Sequence, residues 1–160
     1  MIDKLDFKNA VNCYSDGLYR YMLRLTQHKE NAENYVQDAF MLLWENKANI
    51  AVEGIKSFIF TTAYRKMIDD YRKEKVKQGY QKNAIIDQSI FSNYEDKQFV
   101  EVLLALLSPL QKAMVLLRDY EGCDYQTIAQ ITDTSLNQVK INIFRARKLL
   151  KEKRQCNKTN

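Results

Sequence analysis

The stretch "DYQTIAQITDTSLNQVKINIFRARKLL", Asp124 to Leu150, decides how this chain is read. Asp124 is a helix N-cap, and "YQTIAQI" after it is a short helix with Ile128 and Ala129 on its inner side. The tight turn "TDT" follows, with Asp133 where a left-handed backbone is needed and an aspartate is tolerated. Ser135, with Gln138 three residues later, has the form of a capping box that opens a second, longer helix. Two helices joined this tightly, the second basic, describe a helix-turn-helix. At about 100° per residue, Val139, Ile143, Ala146 and Leu150 share one inward face. Asn137, Gln138, Ile141, Phe144, Arg145 and Lys148 point away from it. Asn and Gln suit base edges, and the cations further along suit phosphates. From Ser135 to Arg154 there are seven basic residues and one acidic, net +6, against +5 for the whole chain. A solvated helix with cations favoured by its C-terminal dipole explains the charge but not its place behind a capped turn. The expectation is a DNA-reading helix.

Outward from this motif the chain stays helical. Only four glycines and one proline occur in 160 residues, too few breakers for a sheet protein. Val100, Leu103, Leu104 and Leu107 predict a helix that ends at Ser108-Pro109, where Ser108 caps and Pro109 opens the next helix. That helix buries Leu110, Ala113, Met114 and Leu117 and stops at Gly122. Residues 76–96 lack sustained periodicity and read as a linker, with a short helical piece near Ile85 and Ile86.

In the N-terminal half, Phe7, Val11, Tyr14, Leu18, Met22 and Leu25 recur at helical spacing, and "SDG" (Ser15–Gly17) predicts a break or kink. Asn31 is the expected N-cap of the next helix, with Ala32, Val36, Phe40 and Leu43 as its apolar stripe. Its opposite face carries Asn34, Gln37, Asp38, Met41 and Glu45. "ENKANIAVEG" reads as a loop. A long helix then places Ile55, Ile59, Ala63, Met67 and Tyr71 inward. Its basic, aromatic character suits single-stranded nucleic acid, although Phe58, Phe60, Tyr64 and Tyr71 fit a core equally well.

Composition removes other classes. The cysteines (Cys13, Cys123, Cys156) stand far apart and His28 is the only histidine, so neither a metal nor another cofactor is expected. An odd number of widely spaced cysteines suits a reducing cytoplasm. No apolar run has membrane-spanning length, so membrane insertion is not expected. There is no Gly-rich phosphate loop and no nucleophile–base pairing, which argues against an enzyme acting on nucleic acid. Asp69 and Asp70 are adjacent and so point in different directions on a helix.

Two blocks together carry a resemblance. "ENAENYVQDAFMLLW" with "KSFIFTTAYRKMIDDYRKEK" resembles region 2 of the extracytoplasmic-function (ECF) sigma factors of the sigma-70 family. "LLALLSPLQKAMVLLRDYEGCDYQTIAQITDTSLNQVKINIFRARKLL" is similar to region 4 of the same family. The resemblance covers nearly the whole chain. It implies an all-α protein of two small helical domains: region 2 over 1–75, a linker over 76–96, and region 4 over 97–155, the last a helix-turn-helix of winged-helix-like kind. It implies a sigma factor that directs core RNA polymerase to promoters and helps open the −10 element. Asn34, Gln37, Asp38 and Met41 would face the β′ coiled coil. Lys56, Tyr64, Arg65, Asp69, Arg72 and Lys73 would lie near the −10 strand. Region 4 would bind the β flap, with Asn137, Gln138, Lys140, Ile141, Arg145 and Lys148 at the −35 duplex. An anti-sigma factor is a further implied partner. Two departures stand out: Tyr64-Arg65 replaces the family's Arg-Asn pair, and Thr132-Asp133 replaces the Leu-Gly of the turn. The alternative is a helix-turn-helix regulator whose N-terminal half senses a ligand or dimerises, but such a protein has no need of "VQDAF" on a polar helix face.

Overall fold

The computed structural model describes residues 1–78 and 96–158. Three helices form the N-terminal unit: α1 (Lys4–Thr26), α2 (Lys29–Glu45) and α3 (Ile55–Gln78), the last entered through a single 3-10 turn at Val52–Gly54. Four more form the C-terminal unit: α4 (Asp96–Ala105), α5 (Pro109–Val115), α6 (Tyr125–Thr132) and α7 (Leu136–Lys158). No strand occurs among the described residues, so the helix-turn-helix stands there without a wing. The expected helix near Ile85 and Ile86 lies outside the described residues. α3 continues to Gln78, into the first residues of the stretch expected as a linker.

Side-chain caps fix several helix N-termini. Asp3 opens α1 with a reciprocal pair of bonds to Asp6, and Ser108 does the same for α5 with Gln111, followed by Pro109. Asn31 does not cap α2. The ring of His28 takes that position, and its Nδ1 accepts from the Asn31 amide at 3.3 Å. The one histidine is thus spent on a helix end. "SDG" does not break α1 either, because Leu18 and Met22 continue the buried stripe beyond it. Gly17 instead lies under Glu121 of the other unit: a Cβ there would stand 3.3 Å from the Glu121 carboxylate. After Val115 the chain makes a π turn (Leu116–Tyr120), and Gly122 turns the backbone with φ +67°.

The core is continuous across both units, from Ile2 and Ala10 through Ile59 and Phe60 to Ile131, Val139 and Ala146. α2 packs against α1 and α3, α7 closes over α5 and α6, and α3 packs directly on α6. On α3 the inward row Ile55, Ile59 and Ala63 is as expected, whereas Tyr71 is 51% exposed. Phe60 and Tyr64 are buried in its place. The face of α3 that meets α6 therefore rotates from the face that meets α2, and one straight stripe does not describe it.

Candidate polymerase and promoter interfaces

The helix-turn-helix is built as its sequence dictates. The Asp124 carboxylate accepts from the Thr127 amide at 2.7 Å, and this bond holds its pKa below the usual carboxylate range. Asp133 adopts φ 55°, ψ 50°, the left-handed conformation that reverses the chain. The Thr132 hydroxyl donates to the Ile128 carbonyl at 2.7 Å and pairs with Thr134, tying the turn to α6. The Ser135 hydroxyl then accepts from the Gln138 amide at 3.1 Å. Val139, Ile143 and Ala146 are buried, and Leu150 packs at the core edge. Asn137, Gln138, Lys140, Ile141, Phe144, Arg145 and Lys148 are all exposed. Arg147 is taken up by a 2.7 Å ion pair with Asp119. The outer face of α7 thus joins polar side chains at its N-terminal end to cations further along.

The outer face of α2 is also free. Asn34, Gln37, Met41 and Glu45 are exposed, while Asp38 is half-buried and bridged by Lys66 at 3.4 Å. Gln37 and Met41 edge an apolar groove of about 830 Å³ between α1 and α2, floored by Phe7, Val11, Phe40 and Trp44. Tyr35, on the other side of α2, donates to Asp70 at 2.8 Å and locks α2 to α3. Asp70 is therefore a structural acceptor.

The residues expected near the −10 strand divide. Arg65, Asp69, Arg72 and Lys73 are exposed, whereas Tyr64 is buried and Lys56 is partly covered. Tyr64, Arg65, Asp69 and Arg72 line a cleft of about 420 Å³ whose far wall is Leu110 and Ile131–Thr134. Lys56 donates to the Glu121 carbonyl at 2.6 Å. Burial pushes the Tyr64 phenol up, and burial likewise raises the Glu121 carboxyl against the pull of Lys56, Arg20 and Arg24.

The rest of this seam was not readable from sequence. Arg24 pairs with Glu101 at 3.1 Å and lies over the Tyr120 ring at 4.3 Å. Tyr21 is fully buried against Phe60, with Cys123 and Glu121 nearby. Lys112 is buried beside the same seam, and burial lowers its pKa. Arg24 and Glu101 stand 77 positions apart and Lys56 and Glu121 stand 65 apart, and helical spacing carries no trace of such contacts. Among the described residues no group of His, Cys, Asp or Glu could hold a metal ion, and no helix is long and apolar enough to cross a membrane.

Residues 10–76 match the family described as Sigma-70 region 2, and residues 100–150 match Sigma-70, region 4. The chain belongs to the sigma-70 family. Within it, RNA polymerase sigma factor YlaC of Bacillus subtilis is 26% identical over 149 residues, covering 87% of this chain and 86% of the relative. ECF RNA polymerase sigma factor SigM of Bacillus subtilis is 26% identical over 144 residues, 86% of this chain and 88% of the relative. The sigma factor RpoE of Bartonella quintana, solved in complex with the anti-sigma factor NepR, superposes with a TM-score of 0.75 at 23% identity, covering 92% of this chain and 95% of that one. The same two-region layout with a short connection makes this sigma factor one of the ECF type, a subunit that brings core RNA polymerase to promoter DNA. Sigma factors are initiation factors and not enzymes. A free-standing helix-turn-helix regulator is not favoured, because region 2 is present beside region 4.

Proposed function

We propose that the outer face of α2, with Asn34, Gln37, Asp38 and Met41, docks on the β′ coiled coil of core polymerase, and that region 4 seats on the β flap. Arg65, Asp69, Arg72 and Lys73 on α3, with Lys56 and Tyr64 once the seam opens, meet the melted −10 strand. Asn137, Gln138, Lys140, Ile141, Arg145 and Lys148 read the −35 duplex. The observation that carries this reading is the outer face of α7: every named residue is exposed, directly behind a correctly turned Asp133. The protein works in the cytoplasm, catalyses no step itself, and is restrained by an anti-sigma factor, as the solved relative is bound by NepR.

The domain division, 1–75 and 97–155, belongs to this reading as well. The −35 and −10 elements take their names from positions about 25 base pairs apart, roughly 85 Å at about 3.4 Å of rise per base pair. In the closed molecule α3 touches α6. Promoter engagement therefore requires the two units to part. Native-gel titration of core RNA polymerase with this protein tests the proposal: a saturable complex is expected, and its absence contradicts it.

A further inference from the structure

One face of α1 meets the C-terminal unit. Gly17, Tyr21 and Arg24 follow one another at helical spacing and share that face. Gly17 lies under the Glu121 carboxylate, while Arg24 pairs with Glu101 and covers the Tyr120 ring. Between them Tyr21 is 1% exposed and sets its ring against Phe60, with centroids 5.3 Å apart. The N-terminal unit grips the turn from Glu121 to Cys123. Lys56 donates to the Glu121 carbonyl, and Cys123 is buried with Tyr21 and Lys56 close by. One polar group in this seam is left over. The Tyr21 hydroxyl is buried and meets no hydrogen-bond partner among the described residues. Burial, with Tyr64, Cys123 and Glu121 nearby, pushes its pKa well above the ordinary phenol value, so it stays a neutral O–H. A buried hydroxyl without a partner loses its bonds to water and gains none in return. A phenylalanine would fill the same space without that loss.

We infer that the Tyr21 hydroxyl is a release element of the closed molecule. Unsatisfied while region 4 lies on region 2 and hydrated once the seam parts, it holds the two units together less tightly than their apolar packing alone would. The inference deepens the reading that promoter engagement requires the units to part, and its functional meaning rests on that reading. The oxygen penalises the closed state only, so it keeps a fraction of the chains open before any polymerase is met.

The experiment follows the Cys123 thiol in the full chain. A dilute alkylating reagent reaches this buried sulfur only when the seam opens, and its rate reports the open fraction as long as closing outpaces labelling. Cys13 is exposed and serves as the internal standard, each cysteine being read from its own peptide by mass spectrometry. Tyr21→Phe keeps the ring against Phe60 and removes only the oxygen. Cys123 labelling is expected to slow about five- to hundredfold, with Cys13 unchanged. Arg24→Glu should speed it, and in that opened background Tyr21→Phe should make little difference. A general stabilisation of the N-terminal helices would instead slow labelling equally in both backgrounds. The apparent affinity of Tyr21→Phe for core polymerase should fall with the open fraction. Unchanged or faster Cys123 labelling in Tyr21→Phe would overturn the inference, and so would an equal effect in both backgrounds. Slower labelling with unchanged polymerase affinity would support the release role and refute the reading that assembly needs an open molecule.

Discussion

Asp38 shows how a single residue can be separated into folding and function. Its ion pair with Lys66 is half-exposed at 3.4 Å, and such pairs contribute within about 0–1 kcal/mol. Gln37 beside it is exposed. The Gln37→Ala, Asp38→Ala double variant is expected to melt within about 1 kcal/mol of the parent, yet to bind core polymerase clearly less tightly. Undiminished co-purification with polymerase would remove these two residues from the interface. On α7 the two ends should behave differently. Gln138→Ala is expected to change which −35 sequences are preferred, by about 1–3 kcal/mol for a bidentate contact. Lys148→Ala should weaken all sequences alike and lower the salt dependence by about one phosphate contact, read from affinities measured across a salt series. At this scale the sequence was informative wherever a side chain's role is local, as for Asp124, Asp133 and Ser135. It misled at Asn31, a good cap by residue type, because His28 three residues earlier holds the extended N-cap backbone and its ring accepts from the Asn31 amide.

Helices show a parallel division. α2 and α7 each have one buried side, so their periodicity reveals both the core face and the free face. α3 is covered on two sides, by α2 and by α6, and its apolar positions wrap around the axis, which is why Tyr71 read as core although it is exposed. The turn between α6 and α7 offers a stability test. Asp133 at φ 55° carries the strain of a left-handed residue, so Asp133→Gly is expected to raise stability by about 1 kcal/mol in chemical denaturation. A loss would mean that the Asp133 side chain contributes more than the strain removes. The cap of α6 gives a pH signature. Hydrogen bonds from Thr127 depress the Asp124 pKa in the folded state. The stability it confers is present above the unfolded value, about pH 4, and is lost as the pH falls through the depressed folded value. Asp124→Asn should flatten that part of the acid-unfolding profile, and an unchanged profile would contradict the assignment.

The whole molecule is where sequence was least informative, because the seam between the two units joins side chains that lie far apart in the chain. Arg24, Lys56, Glu101 and Glu121 would pass for ordinary surface charges until the fold brings them together. A closed chain of 160 residues should give a radius of gyration near 15 Å in X-ray scattering. Arg24→Glu removes the Glu101 pair and the Tyr120 contact and places two acids together, so its radius is expected to rise. An unchanged radius would show that apolar packing alone holds the seam. If region 2 meets the −10 element and region 4 the −35 element, as proposed, the two units have to reach elements roughly 85 Å apart, and opening becomes a condition of function. The central claim is that this chain turns core polymerase into a promoter-specific enzyme. Run-off transcription tests it most directly, with core polymerase on templates carrying its selected promoter. The account predicts a discrete transcript that requires this protein and disappears when the −35 or the −10 element is scrambled. Transcription that is the same with and without the protein would contradict it.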